Sequence, residues 1–401
     1  MTKKMHSYWL APLFGLTLLL GCQQPPIAPA PVSVVAPVPK VYLPKFHQSA
    51  QQAIEDLGQE LTEKLSSISR TDQSPIPVDE FFSAQSAEVS QAGRAMQKQL
   101  AIVLGQKLAP LQFSPLSSKN VSKARWVVLA SYSAVKPAEG TPAGSWVRLQ
   151  VAMAHTATGE ALAKAETYLD AKQFDADPTR FYKDAPMYLV DQRHQEKLAV
   201  LAGQQRPLEQ SIQVQALFAD TVSDYESGRY DDAAKGFSEV LKIAPDHPGA
   251  LTGLYQSNWQ IGRKDDAERA FGKLAAAGFD AGTLSFKLLF KVGRTDFIDN
   301  ADLAAQYKLW LKVVGQVSVA KSACADVNGH ASKSGSAEVN DRLSLQRAER
   351  IAAQLVQSTP AARGKFKSNG IGFKETFVGT GSDDASDAID RRVEFKVRPC
   401  N

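Results

Sequence analysis

A 34-residue spacing in the middle of the chain limits its architecture more than any other feature. Glycine, alanine and phenylalanine recur there in the same order and at the same distance. The two sets are Gly228, Ala233 and Phe237, then Gly262, Ala267 and Phe271. Small residues let paired helices approach closely, and the phenylalanines fill the groove between them. Such a repeat predicts stacked helical hairpins, with separate folding units before and after them.

This period, with Pro245 where a second helix would end, resembles the tetratricopeptide family. The resemblance implies helical repeats over residues 206–282. Three units are usual for independent stability and two are clear here, so we expect the flanking helices to lean on a neighbouring domain. Two roles stay open for this region. It binds a peptide on the inner face of the hairpins, or it is a spacer that sets the geometry of the domains.

The start of the chain has the layout of a secretory signal. Two lysines precede an apolar run from Tyr8 to Leu20, which is too short to span a bilayer as a mature helix. The run ends in Leu19-Leu20-Gly21-Cys22, which resembles the bacterial lipobox. The resemblance implies that residues 1–21 are a lipoprotein signal peptide and that Cys22 is acylated with fatty acids such as palmitate. An ordinary secretion signal with an incidental cysteine is the alternative.

Residues 22–45 form the predicted lipidated cysteine and its proline-rich linker. Gln23 follows the cysteine, which by resemblance to lipoprotein sorting rules favours the outer membrane, with the protein facing the periplasm. The linker prolines are Pro25, Pro26, Pro29, Pro31, Pro37, Pro39 and Pro44. Proline fixes φ and removes a backbone donor, so we expect an extended, unpacked segment with a reach of roughly 70 Å.

The overall charge gives no sign of a nucleic-acid partner. The formal net charge is +4, and two of the lysines that make it leave with the signal. The composition, 44% hydrophobic and 22% charged, is ordinary for folded domains, and the length suggests two or three of them. The sequence therefore predicts a multidomain α+β protein.

The pattern over residues 46–205 predicts an α/β domain. Apolar residues at helical spacing predict a helix at 53–68, and Ser90 is the expected N-cap of a second helix that ends near Leu108. Apolar runs and alternation predict strands at 76–82, 126–132, 146–155 and 161–169. The polar segment 177–184, which carries Phe181 and Tyr182, either caps the sheet or docks a partner.

Two details of this domain carry a resemblance. Asp79-Glu80-Phe81-Phe82 ends a strand, and Thr158-Gly159 forms a hairpin turn. This order of helices and strands is similar to the domain of outer-membrane lipoproteins that activate peptidoglycan synthases. It is also similar to relatives in curli secretion and to the TolB amino-terminal domain. The resemblance implies a module that contacts another protein of the envelope.

Residues 283–401 alternate strands and helices in the order β-α-β-α-β-β. The predicted strands are 284–297, 324–329, 365–373 and 391–397, and the predicted helices are 303–319 and 340–356. Asn340 and Arg347 are seven residues apart, nearly two helical turns, so they share one helix face. Ser336 or Glu338 lies near the helix start, where backbone N–H groups and the helix dipole favour an anion.

Charged side chains near this helix predict a pocket for a carboxylate. Arg347 can grip a carboxylate with two parallel hydrogen bonds, and Arg391 enters from the adjacent strand. Neighbouring strand residues point to opposite faces, so one of Arg391 and Arg392 lines the pocket. Such a pocket suits a small zwitterion. If instead Arg347 pairs with Asp341, Asp387 or Asp390 and Asn340 caps the helix, the same residues are purely structural.

Three segments of this region together resemble the OmpA-like, peptidoglycan-associated domain. They are Gly329-His330-Ala331-Ser332-Lys333-Ser334-Gly335, then Asn340-Asp341-Arg342-Leu343-Ser344-Leu345-Gln346-Arg347-Ala348, then Asp390-Arg391-Arg392-Val393-Glu394-Phe395. The resemblance covers 283–401 and implies binding of the diaminopimelate of the peptidoglycan stem peptide. By the same resemblance Arg347 holds the ligand carboxylate, and Arg391 and Asn340 complete the pocket.

The chain departs from this family at Ser332. The family usually has Gly-His-Thr-Asp, and its Asp takes the ligand ammonium, whereas this chain has Gly-His-Ala-Ser. A neutral hydroxyl still accepts a hydrogen bond, at a loss of about 1 kcal/mol compared with a carboxylate. His330 is expected to be a hydrogen-bonded structural histidine.

The other chemical motifs are sparse. Beyond Cys22 the chain has Cys324, near the start of a predicted strand, and Cys400, after the last strand, so a disulfide within the terminal domain and two free thiols both fit the sequence. Asp383, Asp384, Asp387 and Asp390 lack the ligand spacing of a calcium loop, so the sequence predicts no metal and no cofactor.

The sequence shows no catalytic signature, since the histidines are scattered and HExxH, Walker A and GxSxG patterns are missing. It therefore predicts a non-enzymatic protein. One hypothesis is a tether between the outer membrane and peptidoglycan. The other is a regulator or assembly factor of an envelope machine, which recruits a protein partner through the N-terminal and tetratricopeptide regions.

Overall fold

Three consecutive ten-residue strands organise the first half of the molecule. The computed structural model describes residues 45–66, 74–135, 142–291, 293–375 and 390–400, so the signal, the lipobox and the proline-rich linker lie outside the described residues. The six strands of the first sheet are β1 (Phe46–His47), β2 (Ile76–Ser83), β3 (Phe113–Pro115), β4 (Trp126–Val135), β5 (Trp146–His155) and β6 (Ala161–Asp170). Their order is β1-β6-β5-β4-β2-β3, with β4, β5 and β6 antiparallel and the outer pairs parallel.

Two helices cover one face of this sheet. They are α1 (Ala50–Lys64) and α2 (Gln91–Lys107), and their apolar stripes pack on the sheet side chains at alternate strand positions. Ser90 caps α2, as predicted, because its hydroxyl accepts a hydrogen bond from the backbone N–H of Gly93 at 3.0 Å. Gly93 sits so close to the carbonyl oxygen of Phe81 that a Cβ there would overlap it.

The opposite face of the sheet packs on helices that follow it in the chain. Two short helices, α4 (Arg180–Asp184) and α5 (Gln192–Leu201), lead from the sheet to the repeats, and α3 (Ser118–Val121) lies between β3 and β4. Val127 and Leu129 of β4 share a core with Ile212 and Phe218 of the first repeat helix. The first sheet and the repeats are therefore joined by one continuous apolar core.

The repeat region is two helical hairpins, as the 34-residue spacing predicts. Its helices are α6 (Glu209–Glu226), α7 (Tyr230–Ile243), α8 (Pro248–Gln260) and α9 (Lys264–Asp280). Gly228 and Gly262 follow the first helix of each hairpin with φ of 77° and 78°, a left-handed conformation that closes a helix and favours glycine. Phe237 and Phe271 are fully buried in their hairpins.

A segment that follows the first sheet packs on both hairpins. The Phe181 ring lies 5.5 to 5.7 Å from the rings of Phe218, Tyr225 and Phe237. Its carbonyl accepts a hydrogen bond from the Gln256 amide at 3.0 Å. The segment 177–184 also caps the sheet, the first of its two predicted roles: Phe181 and Tyr182 share a cluster with Val127 and Leu129, and Thr179 donates its N–H to the Val89 carbonyl.

The C-terminal part is a four-stranded sheet with two long helices on one face. Its elements are β7 (Thr283–Phe286), α10 (Ala301–Ala320), β8 (Cys324–His330), α11 (Ala337–Ser358), β9 (Phe366–Gly372) and β10 (Val393–Arg398). The strand order is β7-β10-β8-β9, with β8 and β9 parallel. The predicted α+β class is confirmed, with an α/β sheet, a helical repeat segment and this second sheet.

One predicted strand is wrong over most of its length. The alternation at 284–297 predicted a single strand, but β7 ends at Phe286 and the chain then folds back on itself. An isolated bridge joins Phe290 to Phe297, whose rings lie 5.1 Å apart, and Phe297 also packs on Tyr307. The apolar residues that alternate in the sequence are buried in this way by a loop.

Residues 186–188 extend the C-terminal sheet at its β7 edge. Met187 pairs with Phe286, the Tyr188 N–H donates to the Ser285 carbonyl, and the Lys287 N–H donates to the Pro186 carbonyl. The Lys287 ammonium is buried against Glu88 and the Tyr182 carbonyl. A segment that lies within the predicted 46–205 domain thus covers an edge strand that would otherwise expose unpaired backbone groups.

No helix in the described part of the chain is both long and apolar enough to cross a membrane.

Candidate functional site

The candidate site is built on the buried face of α11. Asn340, Ser344 and Arg347 are all buried, at successive turns of that face, as the seven-residue spacing predicts. Ser336 is the N-cap of the helix, and its hydroxyl accepts a hydrogen bond from the Val339 N–H at 3.3 Å. The helix therefore begins before the predicted position 340, and Asn340 is not its cap.

Glycines in the strands let α11 lie directly on the backbone of the sheet. A Cβ on Gly329 would overlap the carbonyl oxygen of Ser344, and one on Gly370 would overlap that of Asp341. Gly372 has a φ of 59°, and its N–H donates to the Ser344 hydroxyl at 3.0 Å. Sequence reasoning missed Gly370 and Gly372, although their spacing of two on one strand was a usable signal.

Asn340 holds the loop after β8 against the start of the helix. Its amide nitrogen donates to the Ser334 carbonyl at 2.6 Å and to the Ser336 carbonyl at 3.2 Å. The Ser332 hydroxyl lies 3.3 Å from the Ser334 hydroxyl and is buried. The structure thus brings Ser332 and Asn340, two of the predicted site residues, to the same loop.

Arg347 is buried beneath the loop that follows β7. Its Nε donates to the Arg294 carbonyl at 3.1 Å, and a terminal nitrogen reaches the Lys291 carbonyl at 3.4 Å. The guanidinium carbon lies 4.8 Å from the centre of the Phe290 ring, within the range of a cation–π interaction. Sequence reasoning missed this loop because it treated residues 284–297 as a strand.

Two of the three aspartates that the structural alternative pairs with Arg347 are described, namely Asp341 and Asp390. Asp341 does not serve as the ion-pair partner of Arg347 and instead pairs with Lys374 at 2.7 Å. Asp387 lies outside the described residues, as do Asp383 and Asp384. Asp390 is fully buried in the turn before β10.

The two arginines before β10 differ in exposure. Arg391 is half-buried, and its place in the pocket beside Arg347 stays a prediction. Arg392 is buried, and a terminal nitrogen donates to the Glu375 carbonyl at 3.3 Å. Burial lowers the pKa of Arg392, against the raising influence of Glu394 and Asp390.

Cys324 and Cys400 form a disulfide, with a Cα–Cα distance of 5.2 Å. The bond joins the first residue of β8 to the segment after β10, and these two strands pair along their length. The cross-link therefore fastens the end of the chain to the middle of the C-terminal sheet.

A second cleft lies between the first sheet and the hairpins. It encloses about 50 Å³, which is room for a few water molecules and too little for a substrate. Lys197 pairs with Asp79 at 3.0 Å, and Arg193 pairs with Asp191 at 2.8 Å and Asp246 at 2.9 Å.

Two buried histidines line this cleft and have satisfied roles. His194 Nε2 lies 3.1 Å from the Ser83 carbonyl, and His247 Nδ1 accepts a hydrogen bond from the Ala250 N–H at 3.2 Å as the N-cap of α8. Burial lowers the pKa of each to about 4.

The comparisons agree with the repeat assignment. Residues 224–283 match the family model described as tetratricopeptide repeat. No curated protein matches the chain.

Three solved structures are similar to part of the chain. The peptidoglycan-associated lipoprotein from Burkholderia pseudomallei is 22% identical, covering 28% of this chain and 89% of its own, with a TM-score of 0.24. The OmpA-like domain of FopA1 from Francisella tularensis subsp. tularensis SCHU S4 is 21% identical, covering 30% and 77%, with a TM-score of 0.23. The periplasmic domain of Helicobacter pylori MotB is 15% identical, covering 30% and 76%, with a TM-score of 0.24. At these scores the similarity assigns no function to the chain.

The histidines of the second cleft predict acid sensitivity. Each has a folded pKa near 4 and an unfolded pKa near 6.5, so the unfolded chain binds more protons between these values. We therefore expect stability to fall as the pH drops from 6.5 to 4, by on the order of 3 kcal/mol for each histidine. Denaturant unfolding across this range measures the effect.

The double variant His194→Gln with His247→Asn tests this assignment. It removes both titrating imidazoles and keeps polar side chains that can hydrogen-bond to the same backbone groups. It should lose less stability than the wild type over the same range, while His155→Gln, outside the cleft, should follow the wild type. Parallel curves for the wild type and the double variant would contradict the assignment.

Proposed function

We propose that this chain is a non-enzymatic outer-membrane lipoprotein whose C-terminal domain, residues 283–401, binds peptidoglycan non-covalently. The observation that carries the proposal is the position of Arg347. Its guanidinium is buried on the face of α11 that also bears Asn340, below the loop that bears Ser332. Ser332 and Asn340 thus lie at the start of α11, and Arg347 lies about two turns further along the same helix face.

The geometry around Arg347 suits recognition of a carboxylate. The carbonyls of Arg294 and Lys291 and the Phe290 ring fix the orientation of the guanidinium before any ligand arrives. A side chain ordered in advance loses less entropy on binding. Arginine also presents its donors as a planar fork that matches a carboxylate. The ligand we propose is the diaminopimelate of the stem peptide, whose second functional group is an ammonium.

The other end of the proposed bridge is the acylated Cys22. It rests on the lipobox and the linker at 22–45, both outside the described residues. Each methylene buried in the bilayer contributes about 0.8 kcal/mol, and several acyl chains hold more firmly than one. The folded part would then be anchored to the membrane through a linker with a reach of roughly 70 Å.

The hairpins favour the tether over the regulator. Phe181 packs on rings of the first hairpin, and its carbonyl accepts a hydrogen bond from Gln256 of the second hairpin. A segment held by both hairpins in this way joins the sheet domain to the repeats, which suits a spacer. We therefore assign the repeats a spacer role and leave recruitment of an envelope protein to the surface of the N-terminal domain.

Binding to peptidoglycan should depend on the planar guanidinium group of Arg347. Arg347→Lys keeps the charge but cannot form two parallel bonds to a carboxylate, so we expect retention on purified peptidoglycan to fall by about tenfold or more. Sedimentation of the full chain with purified sacculi measures retention, and circular dichroism checks the fold. Arg342→Lys is the matched control, because Arg342 is an exposed arginine of the same helix. Equal retention by wild type and a folded Arg347→Lys protein would refute the pocket.

Restoring the acidic residue of the family should strengthen binding. Ser332→Asp places a carboxylate where the ligand ammonium is expected, and a charged hydrogen bond exceeds a neutral one by about 1 kcal/mol. We expect roughly fivefold tighter retention in the same sedimentation assay. Ser334→Asp is the control, since it adds the same charge two residues away. A gain with both variants would indicate a general charge effect and would count against the site.

The membrane anchor is tested by the chemistry of the mature amino end. We expect the mature protein to begin at Cys22, with an N-terminal peptide heavier by the mass of its acyl chains. Cys22→Ala should lose this mass and the resistance to high-salt extraction from membranes, whereas Cys324→Ser with Cys400→Ser should keep both. Mass spectrometry of the extracted protein measures the mass of the N-terminal peptide. An unmodified mature amino end would rule out the anchor.

A further inference from the structure

His330 is a buried imidazole without a well-formed hydrogen bond among the residues that the structure describes. It ends β8, its side chain is 1% exposed, and neither ring nitrogen makes a hydrogen bond to any described residue. The nearest acceptor is a carboxylate oxygen of Glu394, which lies 3.5 Å from Nε2. That distance is longer than an ordinary N–H···O bond. Buried polar groups are almost always paired, so this histidine calls for a ligand.

Two carboxylates converge on the same imidazole. Glu394 of β10 lies on the same face of the sheet as His330, and Glu375 follows β9 on the other side of β8. One ligand atom from each of the three residues can be chosen so that all lie within 4.8 Å of one another. Thr283 donates from its hydroxyl to the second oxygen of Glu394 at 3.2 Å, which orients that carboxylate. This arrangement matches the outer-shell support usual at metal ligands.

We propose that His330, Glu375 and Glu394 bind a divalent transition-metal ion of the zinc type. An imidazole nitrogen with two carboxylate oxygens is a ligand set that suits zinc and its neighbours, whereas magnesium and calcium prefer oxygen ligands throughout. Zinc lies about 2.0–2.2 Å from such atoms, so the ligand atoms must draw together slightly. Glu375 is exposed and can turn to do so.

Two basic side chains act on this cluster of His330, Glu375 and Glu394. The Lys396 ammonium lies 3.7 Å from Glu375 and 3.9 Å from Glu394, so it partly neutralises both carboxylates. Its half-exposed side chain can swing into water when a divalent ion arrives. Arg392 also acts on the cluster from the same sheet face.

Such an ion would clamp three strand ends together. His330 ends β8, Glu375 lies just past β9, and Glu394 is near the start of β10. Three protein ligands leave at least one coordination position, which water or an anionic ligand can take. The site lies at the opposite end of β8 from the disulfide, so the two cross-links would fasten both ends of the same strand.

Titration of zinc into the untagged full chain, followed by calorimetry, tests the proposal. We expect one zinc per chain and a raised unfolding temperature, with no such effect of magnesium. Glu375→Gln should weaken zinc binding by about tenfold or more, since it removes a ligand at an exposed position without touching the core. Lys396→Gln should tighten binding, because it removes a competing cation. Glu349→Gln, an exposed carboxylate on α11, is the charge-matched control and should match the wild type.

The outcomes separate this site from the wall-binding pocket. Zinc affinity unchanged by both Glu375→Gln and His330→Gln would overturn the metal site, as would absence of binding by the wild type. If Glu349→Gln weakened zinc binding as much as Glu375→Gln does, surface charge alone would explain the effect. That result would also overturn the metal site. Arg347→Lys should leave zinc binding intact, and Glu375→Gln should leave retention on sacculi intact. The two assays therefore test the metal site and the peptidoglycan pocket independently.

Discussion

The C-terminal domain depends on the close approach of one helix to one sheet. α11 lies against the backbone of β8 and β9 at Gly329 and Gly370, where any side chain would overlap the carbonyls of the helix. This approach buries the helix face that carries Arg347 and Asn340, so their polar groups must bond to backbone carbonyls. Packing and recognition therefore use the same contact. A substitution that lifts the helix would misplace the guanidinium even if the arginine were kept.

The segment between the first sheet and the hairpins joins the molecule together. Within about ten residues it places Phe181 in the hairpin groove and pairs Met187 with β7 of the second sheet. Partly buried ion pairs reinforce both junctions: Arg94 bridges Glu80 to Glu226, and Lys287 reaches Glu88. Removing one partner of a buried pair leaves an uncompensated charge, which is far more costly than losing a surface pair. Two hairpins, too few to be stable alone, are thereby held on both sides.

Sequence patterns predicted the regular elements well, because burial on one face imposes a period. The strand at 146–155 was predicted with the bounds it has, and the repeat helices follow from the spacing of Phe237 and Phe271. The loop that covers Arg347 was mistaken for a strand because its aromatic residues alternate by chance while packing on one another. Met187 pairs with a strand about a hundred residues later, and no pattern in the sequence around Met187 indicates this pairing. Such contacts are set by tertiary packing, which no short window of sequence contains.

Under the proposed function the same contacts decide how the molecule carries load. A ligand in the cell wall would pull on Arg347, and the acylated Cys22 would pull on the chain where it enters the first sheet. That entry point is β1, which pairs in parallel with β6 over two residues. Between these points the residues that the structure describes belong to a single compact unit. Its apolar cores join the first sheet to the hairpins and the hairpins to the second sheet. A pull between the two ends would therefore act on packed side chains along the whole path.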